Sequence, residues 1–204
     1  MRQHARAAMV MGVWLFAVSQ SSAQTVNNGS FEFPALPLNS FSYDPGGATW
    51  LFTADSGIIN APGGGFLGPA APDGSQYAFL QSAFAPGTFS QSIDFTLAGT
   101  YQLSYLVGGR PNNGGPAGDL SYEILLDSTV IATDATTSGQ PFTTRLFQFS
   151  TTAGSHTLSF EVAPGATGDN TAFFDQISIQ VPEPTTALLL LTFAPFVRAI
   201  RRRH

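Results

Sequence analysis

In run after run between Ser92 and Val162 apolar side chains return at every second position, and that period decides what this chain can fold into. Ile93, Phe95 and Leu97 alternate with Ser92, Asp94 and Thr96, and Tyr101, Leu103, Tyr105 and Val107 follow on one parity. Tyr122, Ile124 and Leu126 repeat it, as do Phe147 and Phe149, then Leu158, Phe160 and Val162, then Phe173, Ile177, Ile179 and Val181. A strand turns successive side chains to opposite faces, so each run buries one face and wets the other. Turn chemistry separates the runs at Pro86-Gly87, Ala98-Gly99, Ser138-Gly139-Gln140-Pro141, Ala153-Gly154 and Pro164-Gly165. No stretch between residues 24 and 181 holds a 3.6-residue period over the length of a helix. The expectation is an all-β fold, an antiparallel jelly-roll-like β-sandwich of roughly eight to ten strands. No repeat of fixed period argues for a solenoid.

The two ends read differently from this body. Arg2, His4 and Arg6 precede an apolar stretch from Ala7 to Val18 and the small residues Ser21 and Ala23. That is the layout of a signal peptide over 1–23, a helix cleaved after Ala23 by signal peptidase. At the other end Pro182-Glu183-Pro184 precedes an apolar run from Ala187 to Val197 and the cluster Arg201, Arg202 and Arg203. The run is shorter than the roughly 20 residues of a spanning helix, which suits a short membrane helix held transiently, with the arginines on the cytoplasmic side.

Pro-Glu-Pro, a short helix and a terminal Arg cluster together resemble the PEP-CTERM sorting signal of Gram-negative bacteria, over Val181 to His204. Pro195 inside the helix, and the lack of Gly there, depart from the usual pattern. The resemblance implies export, transient anchoring in the inner membrane, processing near the motif by an exosortase-type enzyme, and release to the cell envelope or beyond. It also implies association with exopolysaccharide or biofilm. The domain reading is then signal peptide 1–23, β-sandwich 24–181 and sorting signal 182–204.

Composition narrows the chemistry of the body. The chain has no Lys and no Cys, so Schiff-base and thiol chemistry are absent. Eighteen Phe and a 43% hydrophobic fraction argue against disorder. Residues 24–181 hold twelve carboxylates against Arg110 and Arg145, a formal charge of −10 hidden by the arginines of the two ends. Nucleic acid, which is bound chiefly through Lys and Arg, is ruled out as a partner.

Asn28-Gly29-Ser30-Phe31-Glu32, Trp50, Asp73 to Gln81, and Asn170 to Ile177 resemble galactose-binding-like jelly rolls, an architecture shared with carbohydrate-binding modules. By that resemblance Glu32 and Asp175 match the acidic residues of a structural calcium site. Asp175 shares parity with Phe173 and Ile177, so strict alternation aims it at the core, where it needs a cation, backbone donors or a proton. Glu32 has the parity opposite to Phe31 and Phe33 and reads equally as a solvent-facing residue.

The long loop from Gly108 to Asp119 offers Arg110, Asn112, Asn113 and Asp119 to sugar hydroxyls, with Trp50 or Tyr43 as a stacking platform. Trp50 also reads as a core residue of a Thr-Trp-Leu-Phe strand. No catalytic residues are assigned, because G-x-S-x-G and H-E-x-x-H motifs are missing and His156 is the only His between 24 and 181. The irregular Thr pairs make no ice-binding array. The expected function is a non-enzymatic exported protein bound to polysaccharide; the alternatives are a structural matrix protein without a ligand and a weak glycan hydrolase.

Overall fold

Strict alternation builds most strands of this protein, and its failure marks the few that are buried on both faces. The computed structural model describes residues 24–63, 65–112 and 118–181, which hold eleven strands and no helix. The five-stranded sheet runs in the order β2 (Leu51–Thr53), β5 (Thr88–Phe95), β10 (Gly154–Val162), β7 (Leu120–Leu126) and β8 (Thr129–Thr136). The six-stranded sheet runs β1 (Phe41–Tyr43), β3 (Ser56–Asn60), β4 (Gln76–Gln81), β11 (Thr171–Gln180), β6 (Gly99–Gly109) and β9 (Thr143–Thr151). Neighbouring strands pair antiparallel throughout. From β4 onward the chain changes sheet at every step except the β7–β8 hairpin, so the two layers are stitched together along their length. The all-β antiparallel sandwich is as the alternation predicts, and the count reaches eleven, one above the expected range, because β1 and β2 are strands of three residues each. The expected signal and membrane helices lie outside the described residues, and no described helix is long and apolar enough to cross a membrane.

Between the sheets lies the main core, where Ile93, Phe95, Tyr101, Leu103, Tyr105, Val107, Tyr122, Ile124, Leu158 and Phe160 all point inward. Leu97 does not join them: it follows the end of β5 and is 68% exposed. Trp50 is a core residue and not a platform. It is 2% exposed, packs on Phe31 and Phe89 at 5.4 and 5.5 Å between ring centroids, and donates its indole N–H to Asn28 O at 3.1 Å. The Asn-Gly-Ser-Phe-Glu segment thus serves the fold. Asn28 holds the turn through Phe33 N and O, and Phe31, at a left-handed φ of 58°, plugs the core beneath Trp50.

A second cluster, Ile59, Phe66, Tyr77, Phe79 and Phe173, lies on the outer face of the six-stranded sheet. It is roofed by the connection between β3 and β4 and by Phe142, 5.3 Å from Tyr77. β3 and β4 are therefore buried on both faces, which erases alternation from their sequences.

Asp175 belongs to this outer face. A bulge at Asp175–Ser178, with Gln176 at φ 51°, shifts the parity of β11, so Phe173 and Asp175 face outward while Ile177 and Ile179 enter the inter-sheet core. The expected orientation of Asp175 is corrected, yet it is fully buried, because the roof covers it.

Candidate functional site

Three short strands and two loops assemble a polar and aromatic ring on the outer face of the six-stranded sheet. Register puts Tyr43 opposite Gly57, Gly57 opposite Phe79, and Phe79 opposite Phe173. A Cβ on Gly57 would run into Ser42 O and the Phe79 ring; without one, Tyr43 and Phe79 meet edge to face at 5.0 Å. Phe66 descends from the roof against Phe79 at 4.8 Å and against Phe41 at 5.0 Å. Phe41 and Tyr43 remain 44% and 39% exposed, leaving aromatic surface open to a ligand.

Polar groups close the ring. Arg110, just beyond β6, is held by its N–H on Thr171 O at 3.0 Å, and its guanidinium lies 5.0 Å above the Phe66 ring. Its Nη1 donates to Asp169 Oδ1 at 2.9 Å, and Gln81 Nε2 donates to the same oxygen. Gln81 Oε1 in turn accepts from Tyr43 OH at 2.6 Å. Burial raises the Tyr43 phenol above its ordinary value, with Asp55 and Asp169 adding to the shift and Arg110 opposing it.

The loop after β4 leaves and returns at Gln81: Gly87 N donates to Gln81 O at 3.1 Å. Asp55 Oδ2 accepts from Phe84 N and from Ala85 N, which fixes the tip. Phe84 itself is 93% exposed. Such a surface can stack on the C–H face of a sugar ring while the surrounding donors and acceptors bond its hydroxyls.

Of the residues expected to bind, Arg110 and the platform Tyr43 are brought together here, and Trp50 is not. Asn112 is exposed beside the site, and Asn113 lies outside the described residues. Asp119 serves the loop instead, accepting from Ser138 N at 3.1 Å while its carbonyl accepts from Asn170. Sequence reasoning missed Phe41, Phe66, Gln81 and Asp169. Arg110 offered the only signal, since it is one of two basic side chains in the body and must find a carboxylate; Asp169 is 59 residues away. Pro182, Glu183, Pro184, Arg201, Arg202 and Arg203 lie outside the described residues.

The two expected calcium ligands converge on the turn before β4. Glu32 accepts from Ser75 N, Ser75 Oγ and Gln76 N at 2.9, 3.0 and 2.8 Å. Gly74, at φ 63°, leaves room for that carboxylate. Asp175 accepts from Asp73 N at 3.0 Å and Gln176 N at 2.7 Å. Burial pushes the Asp175 carboxyl up to about 7, against the pull of those two N–H donors, and the charges of Asp73 and Glu32 add to the rise. An all-oxygen, acid-rich donor set suits a hard cation. No three His, Cys, Asp or Glu side chains among the described residues are grouped to hold a metal, so Glu32 and Asp175 would have to be completed by other oxygens.

His156 pairs with Asp127 at 2.5 Å and reaches Thr152 at 3.2 Å, clasping the β7–β8 turn to the β9–β10 turn. The Thr157 N–H, and then His156, hold Asp127 below the usual carboxylate range.

The sequence profile of HpiC1-like proteins, described as HpiC1 cyclase, matches residues 22–179. This chain belongs to the HpiC1-like family. No curated protein sequence matches it. Among solved structures, this HpiC1-like chain is similar to the K3 cleaved adhesin domain of Lys-gingipain from Porphyromonas gingivalis. The TM-score is 0.51 at 16% identity, over 79% of this chain and 99% of that one. An arabinose-bound α-L-arabinofuranosidase gives a TM-score of 0.51 at 14% identity over 77% of this chain. This chain spans 26% of that enzyme and 21% of the isomalto-dextranase of Arthrobacter globiformis. A family 61 carbohydrate-binding module solved with β-1,4-galactotriose gives 0.47 at 14% identity, over 78% of this chain and 98% of that one. At these identities the first two share the two-sheet fold with the HpiC1-like body.

Proposed function

We propose that this protein is a non-enzymatic glycan-binding β-sandwich, exported and sorted by a PEP-CTERM signal and associated with exopolysaccharide or biofilm matrix. The observation that supports binding is the ring of Tyr43, Gln81, Asp169, Arg110 and Phe66, whose polar members are already bonded to one another beside open aromatic surface. A pre-ordered site loses little conformational entropy on binding. Affinity electrophoresis through a polysaccharide gel tests it: the parent is retarded, free sugar competes, and Tyr43→Ala runs freely. No retardation of the parent in any gel would leave a structural matrix protein without a ligand. Release of reducing sugar would instead support a weak glycan hydrolase.

The delivery half of the reading uses residues 1–23 for export and 182–204 for sorting. Replacing Glu183 and deleting Arg201 to Arg203 should trap or mislocalise the protein; normal release of both variants would count against it. Calcium enters the reading as a structural ion at Glu32 and Asp175, where it would supply the positive charge this buried acid lacks. A cyclase reaction, which the family's name carries, is the second reading. It is favoured by Asp175, an acid able to hold a proton near neutrality beside Tyr77. Full burial of that carboxyl beneath the roof keeps it from a substrate, and we prefer the binding reading for that reason.

A further inference from the structure

We infer that the ligand of the outer-face site is an uncharged glycan, and that acidic polysaccharides are refused. The inference rests on the binding reading above and adds the charge class of the ligand. A uronate, sulfate or phosphate group is held by a free guanidinium or ammonium, most often in a two-pronged contact. This chain has no Lys, and its described residues hold Arg110, Arg145 and His156 as the only basic side chains. Each is already engaged by an acid: Arg110 by Asp169 at 2.9 Å, Arg145 by Asp134 at 2.6 Å, and His156 by Asp127 at 2.5 Å.

At the site itself the balance is negative. Arg110 is neutralised by Asp169, and Asp55 adds a carboxylate beside the same patch, close enough to act on Tyr43. Around it lies a body with a formal charge of −10, whose field repels a polyanion before contact. What the site offers is the remaining guanidinium N–H groups, the Tyr43 hydroxyl, the exposed carboxylate edge of Asp169, and the rings of Phe41 and Tyr43. Those groups match hydroxyls and C–H faces, the two features of a neutral pyranose or furanose chain.

The experiment uses the full chain with its terminal arginines (Arg2, Arg6, Arg198 and Arg201 to Arg203) replaced by Gln as the parent, so that the ends do not themselves hold a polyanion. It is run in a non-ionic, sugar-free detergent through gels cast with neutral dextran, xylan or β-1,4-galactan and with the polyanions alginate and polygalacturonate. Retardation is expected in at least one neutral gel and in neither acidic gel. In the neutral gel it should change by less than about twofold between roughly 20 mM and 500 mM NaCl, because no ion pair to the ligand is screened. Asp169→Asn frees Arg110, and this variant should gain retention by polygalacturonate that salt abolishes. Retention of the parent by a polyanion, or binding that weakens severalfold with salt, would overturn the inference while leaving a glycan-binding protein. No retardation in any gel would overturn the binding reading and this inference with it.

Discussion

Two regions of the outer surface of this sandwich have opposite chemistry. On the five-stranded sheet the outward positions of the neighbouring strands β5 and β10 are Ser90, Ser92, Asp94, Ser155, Thr157, Ser159 and Glu161, a hydroxyl-rich surface that is half-buried or exposed. On β3, β4 and β11 of the six-stranded sheet they are Ile59, Tyr77, Phe79 and Phe173, covered by loops that also carry Phe66 and Arg110, whereas Gln102 and Ser104 of β6 and Thr144 and Gln148 of β9 stay half-buried or exposed. A sandwich needs only one apolar face per sheet to hold its two layers together. The second apolar face is not required for the fold, and it is what anchors the loops of the candidate site.

The largest effect should come from testing that asymmetry directly. Phe79→Ala, on the roofed outer face, removes a fully buried ring and should cost about 3–5 kcal/mol in denaturant unfolding. Ser159→Ala, facing outward on the other sheet, should stay within about 0.5 kcal/mol. Equal small losses at both positions would mean that the roof does not pack on its sheet in solution.

Asp175 sharpens the comparison further, because it is a fully buried acid on the roofed face while the acids of the bare face are hydrated. Its carboxyl titrates near 7 in the folded state and near 3.8 when unfolded, so the folded state binds the proton more tightly. Stability then falls as pH rises between those two values and is flat with respect to this group above them. Asp175→Asn removes the dependence, and its stability relative to the parent should rise by a few kcal/mol between pH 5 and pH 8. Thermal or urea melts of both proteins at the two pH values read it. A constant difference would show that the carboxylate is compensated; if millimolar-range calcium raises the parent's melting temperature and a chelator lowers it, the compensating charge is the ion.

How much of this was legible depended on which faces were buried. β5, β6, β7 and β10 each have one dry face, and their alternation named both the strands and the inward residues. β4, Gln76-Tyr77-Ala78-Phe79-Leu80-Gln81, is dry on both faces, so it carries no period to read. The burial of Asp175 followed from its neighbours, but its side of the sheet did not. The bulge that reverses parity is made by Gln176, an ordinary residue in a left-handed conformation that leaves no mark in the sequence. At the site, Arg110 stood out through the scarcity of basic residues. Asp169 and Gln81 reach it only through strand order, which brings residues far apart in the chain to one edge.

Tyr43 lies on the boundary between the covered and open parts of its face. Its ring packs on Phe79 and yet is 39% exposed, so truncation should affect binding more than folding. Tyr43→Ala is expected to weaken glycan retardation roughly tenfold, about 1.4 kcal/mol, with a smaller loss of stability. Loss of stability equal to that of Phe79→Ala would make Tyr43 a core residue and move the platform to Phe41 and Phe84.

The smallest effect belongs to the bare face. Glu161 of β10 sits directly opposite Glu123 of β7, and Thr88 of β5 flanks it on the other side, so two like charges share one cross-strand pair. Directly opposed like charges destabilise an antiparallel ladder, and a β-branched residue pairs better there. Glu161→Thr should therefore raise stability by about 0.2–1 kcal/mol at low ionic strength. The gain should shrink as salt screens the repulsion it removes, which urea unfolding at two salt concentrations would reveal. A gain independent of salt would assign it to strand propensity, and a loss would mean that the two carboxylates share a cation.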